Sequence, residues 1–319
     1  MLANVLHLPS KLRARVDERR ELAEIHRRMG RVLGTAARDP ANLAERPCPA
    51  CGASDPEPGP SLRGPVYAFH RCRRCAMLYA PRVLRPEVVR GRWAGTPLQR
   101  AYRDLLRSGA EPAAYAPLVD RLVGLAPGTE YALDVGCGYG ALLAALSTRF
   151  QQTLGLELDP EIAAAARRAY RVEVAGERIE ALPLSDRSFD LITMNQILEH
   201  IEEPRELMAA ARRLLAPGGV LWISVPQGAS LGMALRRGRH PTVATHMHVN
   251  LFDAGSLRAL VEGAGLRVDR LTSDDDPDLS WSSPAMLVVE KALRWSLGRT
   301  HLLSRGKRGA HLELLARRA

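Results

Sequence analysis

The chain has 319 residues, 46% of them hydrophobic and 25% charged, a composition that excludes a disordered chain and fits a globular catalytic domain with appendages. Its net charge of +10 comes almost wholly from arginine, since Lys11, Lys291 and Lys307 are the only lysines, and the excess gathers in residues 11–46 and 291–318; a polyanionic partner is therefore a secondary expectation. No run approaches the roughly 20 apolar residues of a membrane span, and the opening MLANVLHLPSKLRARV lacks the apolar core and cleavage site of a signal peptide, so a cytoplasmic location is expected.

Residues 11–34 read as a helix, with Leu22, Ile25, Met29, Val32 and Leu33 at helical spacing and arginines and glutamates opposite. Gly34 and Pro40 end it. Its apolar face either covers another part of the chain or pairs with a second copy as a homodimer. Residues 47–65 are broken by Pro and Gly, as in a small loop-rich module. Within and just beyond them, Cys48, Cys51, Cys72 and Cys75 form CxxC-x20-CxxC, a spacing that sets four thiolates for tetrahedral zinc. Reduced cysteines without metal, or a redox pair, are the alternatives. Pro49 and Gly52 suit a tight knuckle, whereas Ala76 stands where the second knuckle often has Gly. Four cysteines close the site, so the metal would be structural and His70 would not ligate. Residues 83–125 read as a helical connection.

From Tyr131 onward, short apolar runs alternate with helices of about 10 residues, the pattern of a doubly wound, largely parallel sheet. The runs are YALDV, TLGLEL, VEVA, FDLITM, GVLWISVP and LRVDRLT, with MLVVEKA expected as the final strand. The tail beyond Leu293 is basic and could form an amphipathic helix. Between the first strand and its helix lies Asp134-Val135-Gly136-Cys137-Gly138-Tyr139-Gly140. Its G-x-G-x-G spacing differs from the G-x-G-x-x-G of dinucleotide sites, which serve a pyrophosphate. Asp134 at the strand end can receive an ammonium, and Glu157, 23 residues on, can accept both hydroxyls of a ribose.

These segments, with IEALPLSDRSFDLITMNQILEHIEEP and LLAPGGVLWISVP, make residues 131–290 resemble class I S-adenosylmethionine (SAM)-dependent methyltransferases. The resemblance implies a seven-stranded Rossmann-like sheet and SAM as methyl donor. It places Gly136, Gly138 and Gly140 along the methionine moiety, Asp134 at the ammonium, Glu157 at the ribose, Leu158 and Ile179 beside the adenine, and Asn195 near the methyl group. Many relatives have Asp before the Ile179 position; here Arg178 stands there, which leaves the adenine to backbone and apolar contacts. The four-cysteine element resembles that of bacterial methyltransferases of sugars, polysaccharides and secondary metabolites, although the chain is too short for the further C-terminal domain of the deoxysugar C-methyltransferases. The expected divisions are 1–46 helical extension, 47–82 zinc ribbon, 83–125 helical linker, 126–291 methyltransferase domain and 292–319 basic tail.

Methyl transfer to a hydroxyl or amine requires a proton to leave, and histidine is suited to take it. His200, in Leu198-Glu199-His200, and His246 and His248, in THMHVNLF, are the candidate catalytic groups, with structural roles at helix caps or backbone as the alternative. His240 reads as a loop residue, and Asn250, Tyr139 and Arg236 as possible acceptor contacts. The expected activity is O-methylation of a sugar or related small molecule. An RNA methyltransferase and a non-enzymatic SAM sensor are the competing readings. The run Asn195-Gln196-Ile197-Leu198 lacks the Pro-Pro-aromatic signature of base amino-group methylation, and no cysteine is free to attack cytosine.

Overall fold

The computed structural model describes residues 10–107, 111–182, 189–230, 233, 237–274 and 311–318. In chain order its elements are α1 (Ser10–Ala36), β1 (Leu43–Glu45), β2 (Leu62–Arg63), β3 (Ala68–Arg71), β4 (Leu78–Tyr79), β5 (Arg82–Leu84), α2 (Pro86–Trp93), α3 (Pro97–Arg107) and α4 (Pro112–Val123). Then come β6 (Tyr131–Val135), α5 (Ala141–Leu146), β7 (Gln152–Leu156), α6 (Pro160–Tyr170), β8 (Glu173–Ala175), β9 (Phe189–Asn195), α7 (Pro204–Leu214) and β10 (Leu215–Pro226). The last are α8 (Pro241–Ala244), β11 (Asn250–Leu251), α9 (Ala254–Gly263), β12 (Leu266–Asp274) and β13 (His311–Arg318).

The main sheet has seven strands in the order β12-β13-β10-β9-β6-β7-β8, mixed in direction. Strands β8, β7, β6, β9 and β10 run parallel, and β13 runs antiparallel between β10 and β12. Central strands covered on both faces must be apolar nearly throughout, and Leu191, Ile192, Thr193 and Met194 of β9 and Val220–Ile223 of β10 are all buried. The chain starts the sheet in its middle at β6, winds out one way to β8, then crosses over to β9. In sheets wound this way the usual ligand position lies outside the carboxyl ends of the strands where the winding reverses, here β6 and β9.

The C-terminal end departs from the expected basic tail. His311–Arg318 is a strand, with Leu312, Leu314, Leu315 and Ala316 buried and seven residues paired to β10. Glu313 is 9% exposed and is held by Arg121 of α4 at 2.5 Å. The run H-L-E-L-L-A-R-R is too short, and too basic at its end, to announce a strand alone; only the gap between β10 and β12 makes it one. MLVVEKA lies outside the described residues, as does most of the tail.

The helix α1 settles against its own chain. Met29, Leu33 and Ala36 are buried in one cluster with Tyr67, Phe69, Val83, Leu84, Val243, Val249 and Leu251. Ile25 is buried as well, whereas Val32 stays 39% exposed. The four-cysteine segment is also tied in: β11, from the stretch after β10, pairs with β4 and completes a four-stranded sheet, β11-β4-β3-β2. Among the described residues no helix is long and apolar enough to cross a membrane.

Candidate active site

The turn after β6 is built by glycines in left-handed backbone, with φ of 71° at Gly136, 54° at Gly138 and 84° at Gly140, a region where a Cβ is costly. At Gly136 a side chain would also strike Ile197 at 2.7 Å, whereas at Gly138 nothing lies within 4 Å of where a Cβ would stand. The floor of the turn is therefore closed and its outer side open. Glu157, just beyond β7, accepts hydrogen bonds from the backbone N–H of Gly138 at 3.2 Å and of Asp159 at 2.8 Å. These fix the carboxylate against the glycine turn and leave lone pairs for two more donors. Burial pushes its pKa up, against those two backbone donors. Beside it Leu158 is 61% exposed, an apolar side chain standing open at the crevice rim. Ile179 is buried in a short 3-10 turn whose first residue follows Arg178.

Asp134 is 2% exposed and accepts a hydrogen bond from the Thr193 hydroxyl at 2.7 Å. Burial raises its pKa to about 7, with the Thr193 bond pulling the other way. Tyr115 of α4 lies near Asp134 and Asn195, at the end of β9, and burial pushes its phenol pKa up. Thr193 and Tyr115 carried no signal in the sequence, because neither belongs to a motif and both reach the site only through strand pairing and helix docking. The helix α3 lies across the same rim: Arg103 bonds Asp159 at 2.6 Å and also Glu161, and the Tyr139 hydroxyl donates to the Arg103 carbonyl at 2.7 Å.

Four histidines gather where α1 meets the loops that follow β9 and β10. His26 Nδ1 lies 3.1 Å from His246 Nδ1 and 3.1 Å from the Thr245 hydroxyl. Trp93 packs on His246 with centroids 5.1 Å apart, and Tyr102 stands edge-on to His26 and Trp93. His200 and His248 stack edge-to-face at 4.7 Å. Burial lowers the pKa values of His26 and His200 to about 4 and of His246 to about 3, and depresses His248 strongly. All are neutral imidazoles near pH 7. Unfolded, they would titrate near 6.5, so the unfolded chain binds more protons as pH falls below that value. We expect the histidine contribution to stability to drop from about pH 6.5 toward 4, opposite in sign to that of the raised Asp134 carboxyl, and to show as a difference between the unaltered protein and His26→Gln in how the denaturant midpoint changes with pH; an identical pH dependence in the two would show the His26 imidazole to be solvated. His240, expected in a loop, caps α8 by accepting from the Thr242 N–H. Arg236 lies outside the described residues.

Asn250 serves a structural network. It donates to the carbonyls of Leu198 and Ile201 and accepts from Arg46 at 2.7 Å. Arg46, 8% exposed, also donates to the carbonyls of Ala80, Glu202 and Val249. One guanidinium thus joins the edge of the zinc ribbon to the Glu199–His200 loop and the stretch after β10. Arg46→Met would leave four buried acceptors without that donor, each costing about 1–3 kcal/mol when unmet. We expect a loss of about 3 kcal/mol or more in chemical denaturation; a change under about 1 kcal/mol would mean the acceptors find other donors.

The four knuckle cysteines converge, with none in a disulfide. Cys48 and Cys75 sulfurs are 3.5 Å apart and Cys51 and Cys72 sulfurs 3.6 Å. A tetrahedral zinc with Zn–S bonds of about 2.3 Å needs sulfurs about 3.8 Å apart, so the donor set fits that ion. The knuckles repeat each other: Gly52 donates to the Cys48 carbonyl and Ala76 to the Cys72 carbonyl. Gly52 has φ of 73° and Ala76 of 62°, so the second knuckle makes its turn with a strained alanine. His70 bonds the Glu57 carbonyl and lies outside the cluster.

A parallel sheet with an antiparallel strand slotted beside its edge, and acids at its first two strand tips around a glycine turn, defines the class I SAM-dependent methyltransferase fold. Residues 107–271, just over half the chain, match the family model described as "Methyltransferase domain". The chain belongs to that family. It is 33% identical over 140 residues to a Mycolicibacterium smegmatis protein named "Probable S-adenosylmethionine-dependent methyltransferase", covering 43% of this chain and 52% of that one. It is 36% identical over 99 residues to a Methylococcus capsulatus "Ubiquinone biosynthesis O-methyltransferase", covering 29% and 42%. The chain thus spans about half the length of these curated relatives. The crystal structure of a SAM-dependent methyltransferase from Archaeoglobus fulgidus superposes with a TM-score of 0.50 at 19% identity, covering 69% of this chain and 99% of that one, a likeness of fold.

Proposed function

We propose that the chain transfers the methyl group of SAM to an oxygen of a small molecule, a sugar or related metabolite. The observation that carries this reading is the pairing of Glu157 with the Gly138 N–H beneath an open glycine rim. A carboxylate oriented this way accepts ribose hydroxyls, while the exposed Leu158 and buried Ile179 give an adenine an apolar seat. Asp134 meets the ammonium of the methionine moiety, and Asn195 stands near the methyl group. SAM supplies an already activated methyl on a sulfonium, so the protein's work is to align the acceptor, exclude water and receive its proton. His200, His246 and His248, in the loops that follow β9 and β10, would receive that proton. The name of the Methylococcus relative supports an oxygen acceptor.

The raised pKa of Asp134 gives a directional test. An ammonium is held by the ionised carboxylate, which forms as pH rises through about 7. SAM affinity by calorimetry is expected to rise between about pH 6 and 8, and a flat profile would remove Asp134 from that role. In the protein without ligand the sign is opposite: the folded state keeps a proton that the unfolded chain loses above about pH 4, so this group lowers stability as pH climbs toward 7. The activity itself is tested by incubating labelled SAM with sugar and metabolite pools and following label by mass spectrometry. Transfer to RNA instead, with affinity falling steeply in salt as counterion release demands, would overturn the small-molecule reading.

A further inference from the structure

Glu199 and His200 are adjacent in the loop after β9, and His248 comes from the stretch after β10. Their ligand atoms all lie within 4.8 Å of one another, with His200 Nε2 at 3.9 Å from Glu199 Oε1. Both rings are oriented by backbone carbonyls: His200 Nδ1 faces the Met247 oxygen at 3.4 Å, and His248 Nδ1 faces the Thr242 oxygen at 2.8 Å. A carbonyl only accepts, so each ring carries its proton on Nδ1 and offers the Nε2 lone pair. Metal-ligating histidines are held in this way by their second nitrogen. Glu199 adds an independent sign. It is 2% exposed, yet its Oε2 is buried with no hydrogen-bond partner. An unmet buried carboxylate oxygen is costly, and a cation would satisfy it.

We propose that Glu199, His200 and His248 form a binding site for a divalent first-row transition cation, with one coordination position left for the acceptor oxygen. Two imidazoles and one carboxylate suit ions of the zinc, cobalt or nickel kind, and three protein ligands with an open fourth place mark a reactive centre, in contrast to the closed four-cysteine cluster. A tetrahedral ion with bonds of about 2.1 Å sets its ligand atoms about 3.4 Å apart, so the three side chains close by small rotamer shifts. Glu199 is buried, and His200 and His248 are partly exposed, which leaves an open side to the cluster. A hydroxyl bound at the open position gives up its proton more readily. That last role rests on the acceptor reading above; the site itself does not.

The test uses the full chain, stripped with a chelator, reloaded with cobalt(II) and cleared of excess, then measured by elemental analysis and visible absorption. We expect two cobalt ions per chain, one with thiolate charge-transfer bands from the cysteine cluster and one without. Glu199→Gln and His248→Ala are each expected to lose the second ion and keep the thiolate bands, which also report that the knuckles remain folded. One ion per chain in the unaltered protein, all of it thiolate-bound, would overturn the proposal, as would variants that still hold two. SAM affinity of the cobalt-loaded Glu199→Gln variant, whose thiolate bands show the knuckles intact, reports separately on the donor site when taken by calorimetry, so either reading can fail alone.

Discussion

Cys72→Ser is expected to cost the protein more stability than loss of any other single side chain described above, and to abolish zinc binding at the cysteine cluster. Cys48 and Cys72 are 0% and 1% exposed and belong to the same buried cluster as Leu207, Met208 and Ala211 of α7 and Leu221 and Ile223 of β10. The cysteine module is therefore part of the methyltransferase core. Its own sheet is small and borrows β11 from the stretch after β10. Four short strands bury too little to stand without a metal, and the free energy of a structural zinc, about 10 kcal/mol or more in isolated fingers, is folding free energy. Melting with and without chelator, alongside zinc analysis, checks this. We expect a single transition shifted down by 10 °C or more, on the order of several kcal/mol for a domain this size. An unshifted transition in a zinc-free chain would leave the cysteines with no structural role.

Glu157→Ala is expected to weaken SAM binding by about 100-fold or more while the fold survives. Hydrogen bonds to a charged group are worth about 1.5–3 kcal/mol each, and two ribose hydroxyls on one carboxylate place the sum at about 3–6 kcal/mol. The substitution also frees the N–H groups of Gly138 and Asp159, which lie at the rim where water can reach them, so the loss should fall on binding and not on stability. Calorimetric titration with SAM at fixed pH, paired with a melting curve, separates the two. Unchanged affinity in this variant and in Asp134→Ala together would dissolve the donor-site assignment.

The parts of the molecule that were readable in advance are those whose chemistry is local. Glycines at alternate positions announce a left-handed turn because no other residue makes it cheaply, and acids at strand ends announce a ligand because they would otherwise sit unpaired. Two CxxC pairs announce a metal because thiolates two residues apart already share a knuckle. Alternating apolar runs and helices likewise imply a doubly wound sheet. The strand β13 gave no comparable sign: its burial depends on neighbours 37 or more residues away in the chain.

Tertiary packing alone decided the rest. It set Thr193 on Asp134 and Tyr115 beside Asn195 by pairing β9 with β6 and docking α4. It brought His26 from α1 to His246 across 220 positions and inserted Arg46 among three separate backbone segments. These residues follow no periodicity, since a hydrogen bond between distant segments constrains positions in space and leaves spacing along the chain free. The glycine turn and the cysteine knuckles are thus written in short-range pattern, and the histidine cluster with its partners is written only in the fold.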